Sequence, residues 1–181
     1  MFCPITIRAH ILLRSLHRRD ATWKRLLNES EIKEWEEIYT DLKNIPTIRI
    51  NRCIHPQQSS DVHAQLHLFC DASQFAYAAT VYVRIEDGKS ASINLVFAKA
   101  RIAPVNQNNN NTIPRLELLA VTLGSKILQT VRNSLNLIET SPAILWTDSR
   151  CVLFWLRSQK SSSIFITNRI RTIRTLEQLE F

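Results

Sequence analysis

The stretch Leu66-His-Leu-Phe-Cys-Asp-Ala-Ser73 predicts a β-strand that ends at an acidic residue, Asp71. Two more segments with the β-branched and aromatic enrichment of strands follow at 76–85 and 92–102. The dipeptide Asp87-Gly88 between these two segments is typical of a hairpin turn. The three segments therefore predict strands in an antiparallel meander.

A long helix is predicted next, over residues 114–135, because Pro114 is favoured in a first turn, where its missing N–H costs nothing. Gly124 lies seven residues after Glu117 and therefore on the same face of this helix. Since glycine has no side chain, we expect the helix to approach the sheet closely at this point. The apolar stripe that would face the core consists of Leu116, Leu119, Leu123 and Ile127.

The rest of the C-terminal part is predicted as a buried strand over 143–147, a helix that ends at residue 156 and a last helix over 164–179. The resulting order, β-β-β-α-β-α-α, places the fourth strand beside the first. This order predicts an α/β (α+β) architecture with a mixed sheet and helices on its faces. The Asn-rich segment 106–111 is expected to be an exposed loop.

Residues 1–56 are predicted to be helical, with amphipathic helices near 5–16 and 30–45. This part is too short and too sparse in apolar residues to be expected to fold as an independent domain. The polar, turn-rich segment 56–60 is the natural boundary to the strands that follow.

The composition of the 181-residue chain excludes several classes of protein. Hydrophobic residues make up 45% and charged residues 22%, which is ordinary globular usage rather than that of a disordered chain. With only two glycines, a glycine-rich phosphate loop cannot be built. No apolar run is long enough for a membrane span, and no signal peptide is expected. The net charge of +7 favours a polyanionic partner.

The four cysteines lie far apart, with no C-x-x-C motif. They are expected to be reduced and partly buried thiols, which predicts an intracellular setting, cytoplasmic or nuclear.

Three acids, Asp71, Glu117 and Asp148, stand in apolar surroundings at the end of the first strand, in the first turn of the long helix and at the end of the fourth strand. Burying an unpaired carboxylate costs several kcal/mol, so a cation is expected beside them. Oxygen ligands of this kind suit Mg²⁺ or Mn²⁺, and two such ions would support phosphodiester hydrolysis. Each acid also has a structural alternative: a turn former, a helix-dipole acid and an N-cap respectively.

Five motifs in order resemble the ribonuclease H-like region of Bel/Pao-type retrotransposon Pol polyproteins, a family also named Pao retrotransposon peptidase. The resemblance covers nearly the whole chain, including the helical leader. The motifs are Leu66-His-Leu-Phe-Cys-Asp-Ala-Ser73 with Ala76-Tyr77-Ala78, Ala98-Lys-Ala-Arg-Ile-Ala-Pro104, Ile113-Pro-Arg-Leu-Glu-Leu-Leu-Ala120, Trp146-Thr-Asp-Ser149 and Ile166-Thr-Asn-Arg-Ile170.

The resemblance implies a ribonuclease H-like fold in which Asp71, Glu117 and Asp148 hold two Mg²⁺ or Mn²⁺ ions and hydrolyse the RNA strand of an RNA–DNA hybrid. It further implies that residues 1–56 are the helical tail of a reverse transcriptase and residues 57–181 the ribonuclease H-like domain, with an integrase further downstream in the polyprotein. The family has a fourth acid in an Asn-Pro-Ala-Asp motif, which this sequence lacks. The domain is therefore expected to be incomplete at its C-terminus.

Six basic residues and no acid lie between Asp148 and Glu177, which predicts contacts with nucleic-acid phosphates. Polar contacts are also expected from Ser73 and Asn168. Trp146 and Trp155 are expected in the core rather than as base-stacking platforms. The six basic residues are Arg150, Arg157, Lys160, Arg169, Arg171 and Arg174.

Three other functions remain to be weighed. A catalytically dead nucleic-acid-binding remnant of a retroelement would keep the fold and the basic surface. An integrase or transposase would place its glutamate on the helix after the fourth strand, where residues 151–157 offer no acid. An aspartic peptidase requires Asp-Ser/Thr-Gly, and neither Gly88 nor Gly124 follows such a pair.

Overall fold

The computed structural model describes residues 3–17, 24–50, 53–54, 63–86, 90–105, 112–135, 143–158, 163–176 and 179–180. The chain divides into two compact units, Met1–Arg52 and Cys53–Phe181. The expected turn at Asp87-Gly88 and the Asn-rich loop lie outside the described residues.

The N-terminal unit contains two helices, α1 (Cys3–His17) and α2 (Glu29–Lys43), as the periodicity predicts. A capping box begins α2: the Asn28 side chain accepts from the Glu31 N–H, and the Glu31 carboxylate accepts from the Asn28 N–H, each at 2.9 Å. Arg8 of α1 forms ion pairs with Asp41 and Glu37 of α2. The role of this unit as a reverse transcriptase tail stays a prediction.

The C-terminal unit is a five-stranded mixed sheet in the order β3-β2-β1-β4-β5. Strands β1, β2 and β3 are antiparallel neighbours, whereas β4 is parallel to both β1 and β5. The predicted meander and the placement of the fourth strand beside the first are confirmed. The strands are β1 (His63–Ala72), β2 (Ala76–Glu86), β3 (Ala91–Ile102), β4 (Ala143–Trp146) and β5 (Leu179–Glu180), and the helices are α3 (Ile113–Ser134), α4 (Arg150–Arg157) and α5 (Ile164–Arg174).

Helix α3 packs on the inner face of the sheet and forms the core with β1 and β2. Gly124 marks the point of closest approach. A Cβ atom on Gly124 would lie 2.7 Å from both Cys70 Sγ and Leu68 Cδ1, which is far inside van der Waals contact. The close approach predicted from the position of this glycine is confirmed.

The end of the chain differs from the prediction. Helix α5 ends at Arg174 rather than continuing to residue 179, and Leu179 and Glu180 pair with Ala143 and Ile144 of β4. This pairing satisfies backbone groups on the outer edge of β4, which a continued helix would leave without partners. The helical periodicity could not reveal this, because the competing partner lies about 35 residues upstream.

The outer face of the sheet carries aromatic side chains near its centre. Because side chains alternate along a strand, Leu66 and Leu68 point into the core while His67 and Phe69 point outward. Trp146 shares this outer face and is 47% exposed, so the expectation that it belongs to the core was wrong. Trp155 is partly buried and packs against the core, as expected. Among the described residues, no helix combines the length and hydropathy that a membrane crossing requires.

Candidate metal centre

The three acids singled out in the sequence lie together at one edge of the sheet. Asp71 is near the carboxyl end of β1, and Asp148 follows β4 by two residues. Because β1 and β4 are parallel neighbours, their carboxyl ends lie at the same edge. Glu117 reaches this edge from the second turn of α3, not from the first turn as predicted, because the helix already begins at Ile113. One carboxylate oxygen from each residue lies within 4.8 Å of the others.

A main-chain donor links two of these carboxylates. The Ala72 N–H donates to Asp71 Oδ1 at 2.7 Å and to Glu117 Oε1 at 3.3 Å. The second oxygen of Glu117, Oε2, is buried and accepts no hydrogen bond from the described part of the chain. The Glu117 carboxylate is therefore fixed through one oxygen while the other is left for a ligand.

The electrostatics of Glu117 follow from its position. Its side chain is only 5% exposed, whereas Asp71 and Asp148 are exposed. Burial raises the pKa of Glu117 to about 7, and the negative charges of Asp71 and Asp148 act in the same direction. The hydrogen bond from the Ala72 N–H has the opposite effect and lowers the pKa. Without a cation, the centre therefore disfavours full ionisation at neutral pH.

The donor set fits a divalent metal ion. All three residues offer carboxylate oxygens, the ligands that Mg²⁺ and Mn²⁺ prefer. A cation would compensate for the mutual repulsion of the three acids and would give the buried Glu117 Oε2 a partner.

Cys70 lies behind the centre, on the inner face of β1. Its thiol is buried, and burial together with the nearby Glu117 raises its pKa, so Cys70 is a neutral packing residue rather than a metal ligand. Cys70, the residue before Asp71, and Gly124 lie where β1 and α3 approach each other most closely.

Ser73, which is expected to contact nucleic acid, forms the turn after Asp71. Its hydroxyl accepts from the N–H groups of Phe75 and Ala76 at 3.3 and 3.2 Å and donates to the Ala76 carbonyl at 3.3 Å. These bonds hold the turn that positions Asp71. The contact with a sugar stays a prediction.

The predicted basic surface lies on α4 and α5. The Arg174 guanidinium donates to the carbonyls of Leu156 and Ser158 at 2.9 Å each, so it also ties α5 to the end of α4. Lys160 lies outside the described residues. The other predicted contact residues on these two helices are exposed, except for Arg169, which is half-buried. They are Arg150, Arg157, Asn168, Arg169 and Arg171. Their contacts with nucleic acid stay predictions.

An open pocket of about 450 Å³ adjoins the carboxylates on the outer face of the sheet. Its floor includes Ala78 and Thr80, and its wall is a stack in which the Phe69 and Trp146 rings lie 5.8 Å apart at 10°. The Trp146 indole N–H donates to His67 Nδ1 at 2.9 Å. Sequence reasoning missed this stack, although strand alternation already placed positions 67 and 69 on one face.

The bond between Trp146 and His67 is expected to break on acidification, because a protonated imidazole cannot accept it. Burial, with a smaller effect from Arg84, lowers the pKa of His67 below its ordinary value of 6.5. The indole N–H resonance of Trp146 should therefore shift with a midpoint below pH 6.5 in a titration from pH 8 to pH 4.5. The resonances of Trp35 and Trp155 serve as controls. A midpoint above 6.5, or an unchanged Trp146 signal, would contradict the geometry.

A mixed sheet in this strand order, with acids at the ends of two parallel neighbours and on the helix behind them, defines a ribonuclease H-like domain. Residues 1–149 match the family model of the Pao retrotransposon-like RNaseH-like domain. The chain belongs to this family, and the resemblance to Bel/Pao-type elements is confirmed.

Two solved structures of the foamy viral protease-reverse transcriptase show distant similarity. The form described as dRH, in complex with double-stranded DNA, is 15% identical with a TM-score of 0.37, and the alignment covers 94% of this chain and 29% of that chain. The other, also in complex with double-stranded DNA, is 13% identical with a TM-score of 0.35 and coverage of 94% and 33%. The chain thus spans about a third of the length of these proteins. A comparison with curated proteins gives no match.

Proposed function

We propose that this ribonuclease H-like domain hydrolyses the RNA strand of RNA–DNA hybrids. The observation that carries the proposal is the convergence of Asp71, Glu117 and Asp148, whose carboxylate oxygens lie within 4.8 Å of one another. Three acids held this close, one of them buried with an oxygen that lacks a partner among the described residues, are costly unless they bind cations.

Asp71, Glu117 and Asp148 would hold two Mg²⁺ or Mn²⁺ ions, as the resemblance implies. Such ions, when bound, activate water and stabilise the departing oxygen of a phosphodiester. The chain's own residues prepare the centre for this: the Ala72 N–H orients Asp71 and Glu117 together, and the Ser73 turn holds the end of β1. Since the pKa of Glu117 is about 7, protonation of this residue competes with metal binding, and activity should fall below pH 7.

The basic side chains of α4 and α5 would contact the phosphates of the hybrid, which gives affinity without sequence preference. The division proposed for the chain is a helical reverse transcriptase tail over 1–56 and the ribonuclease H-like domain over 57–181. Its partners would be the rest of a Pol polyprotein, with reverse transcriptase upstream and integrase downstream. The family match supports this context.

The test is cleavage of a hybrid labelled on the RNA strand by the purified chain in Mn²⁺ or Mg²⁺. Asp148→Asn should lower the rate about a thousandfold or more, because each metal interaction contributes several kcal/mol to the transition state. Glu86→Gln, which removes a half-buried acid of the same sheet that forms an ion pair with Arg84, should leave the rate unchanged.

The binding of the hybrid, measured in parallel, separates the proposed function from its alternative. Cleavage that requires Asp148 establishes a hybrid-directed nuclease. Tight binding with no cleavage in either metal would contradict the proposal and identify a nucleic-acid-binding remnant.

A further inference from the structure

Two guanidinium groups lie against one aromatic ring between α3 and α5. The Arg169 Cζ is 3.5 Å from the centroid of the Phe165 ring, and the Arg115 Cζ is 5.1 Å from the same centroid. Both distances are within the range of cation–π attraction. The shared ring thus holds two like charges close together, and Arg169 is further fixed by a 2.9 Å bond from its Nη1 to the Phe165 carbonyl.

This arrangement concentrates positive charge. The pKa of Arg169 is lowered, mainly by burial and also by the positive charge of Arg115, while Tyr77 raises it. No described carboxylate forms an ion pair with Arg169. Arg115 and Phe165 both lie in the first turns of their helices, and neither turn contains an acid. The positive ends of two helix dipoles therefore add to the charge of the two guanidinium groups.

The cluster and the metal centre are built on shared elements. Arg115 and Glu117 lie two residues apart in α3, on different faces of the helix. Arg169 interacts with Tyr77, whose partner across the β1–β2 ladder is Ala72, the donor to Glu117. The cluster is thus anchored on the same elements that position Asp71 and Glu117. An anion bound there would contact the guanidinium groups and not the carboxylates, since acids repel an anion.

We propose that Arg115 and Arg169, held by Phe165, bind a backbone phosphate of the nucleic-acid substrate near the N-terminal end of α3. This inference rests on the proposed function and adds a specific subsite to it. A guanidinium pair suits a phosphodiester because each planar fork can donate two hydrogen bonds to its oxygens. The site contacts no base edge, so its contribution is independent of sequence.

The subsite is tested by fluorescence anisotropy with a labelled RNA–DNA hybrid in the presence of EDTA, so that binding is measured without metal and without cleavage. Arg115→Gln and Arg169→Gln should each weaken binding about tenfold at ~0.1 M salt, as expected for one charge-assisted contact. Each should also reduce the slope of log K against log salt by about one. Lys126→Gln, which removes an exposed charge from the same α3, is the matched control and should change binding by less than about twofold.

A further variant separates an organised site from general attraction by charge. Phe165→Leu leaves the net charge unchanged but removes the ring that holds both guanidinium groups, and it should weaken binding nearly as much as either arginine substitution. Thermal unfolding of each variant checks that the fold is intact, and because three separate positions are tested, the loss of one variant to misfolding leaves the others decisive.

The outcomes distinguish this inference from the proposed function. If all three variants bind like Lys126→Gln while the parent binds and cleaves the hybrid, the subsite is wrong and the nuclease stands. If the parent binds but does not cleave, while the three variants bind weakly, the subsite stands and the proposed activity is wrong. If the parent does not bind the hybrid at low salt in EDTA, the subsite is wrong, and if it also fails to cleave the hybrid in Mn²⁺ or Mg²⁺, the proposed activity is wrong as well.

Discussion

Glu117→Gln is expected to make the metal-free protein more stable at pH 8 and, at the same time, to abolish its stabilisation by Mn²⁺. The pKa of Glu117 is raised from 4.5 to about 7 in the folded protein. A raised pKa means that the folded state binds the proton more tightly than the unfolded state does. The contribution of this proton to the stability of the folded protein is complete below pH 4.5 and is lost as the pH rises through 7. Glutamine is neutral at every pH and escapes this loss.

The measurement is thermal unfolding of parent and variant between pH 4 and pH 8, in EDTA and in millimolar Mn²⁺. The difference between the two proteins cancels the titration of all other groups. In EDTA the advantage of the variant should grow as the pH rises through 7, while in Mn²⁺ the parent alone should gain stability. Glu86→Gln provides a control for the loss of an acid that is paired with a base, Arg84, and lies away from the centre. A parent that gains stability relative to Glu117→Gln on going from pH 5 to pH 8 in EDTA would contradict the raised pKa.

Gly124→Val is expected to lower the free energy of unfolding by about 3 kcal/mol, the upper part of the range for overpacked cores. Even the first added carbon would lie 2.7 Å from Cys70 Sγ and Leu68 Cδ1. Both neighbours are buried in the core, Leu68 completely, so neither can move aside into open space. Urea denaturation measures the effect directly.

Two further variants identify the cause of this loss. Lys126→Val introduces the same side chain at an exposed position of α3 and should cost less than about 0.5 kcal/mol. Adding Leu68→Ala to Gly124→Val removes one of the two obstructing groups, so the double variant should be more stable than the sum of the single effects by about 1 kcal/mol. Strict additivity would show that α3 does not press against β1 at this residue.

Much of the fold and of the candidate site could be predicted from the sequence because these features depend on local sequence patterns. The alternation that begins at Leu66 gives β1 and its buried face, and the spacing of Gly124 from Glu117 identifies the helix face that meets it. The proximity of Asp71 and Asp148 follows once β4 is placed beside β1, since parallel neighbours end at the same edge.

What escaped prediction depends on distant partners or on very short elements. Strand β5 has two residues and no pattern of its own, and it exists only because β4 offers an edge. Strand β4 has four residues, too few to tell which face Trp146 occupies. The cluster around Phe165 joins residues about 50 positions apart in the sequence. The sequence indicates it only through Arg115, because a basic residue is disfavoured by the helix dipole in the first turn of a helix.

The link between Asp71 and Glu117 is made by the main chain. The donor is the N–H of residue 72, so the bond does not depend on which side chain that position carries. A genetic element accumulates copying errors in its sequence, and a change at this codon leaves the link in place unless it introduces proline, the one residue without an N–H. The link between the two carboxylates therefore depends on the backbone conformation, and most single substitutions at residue 72 leave it intact.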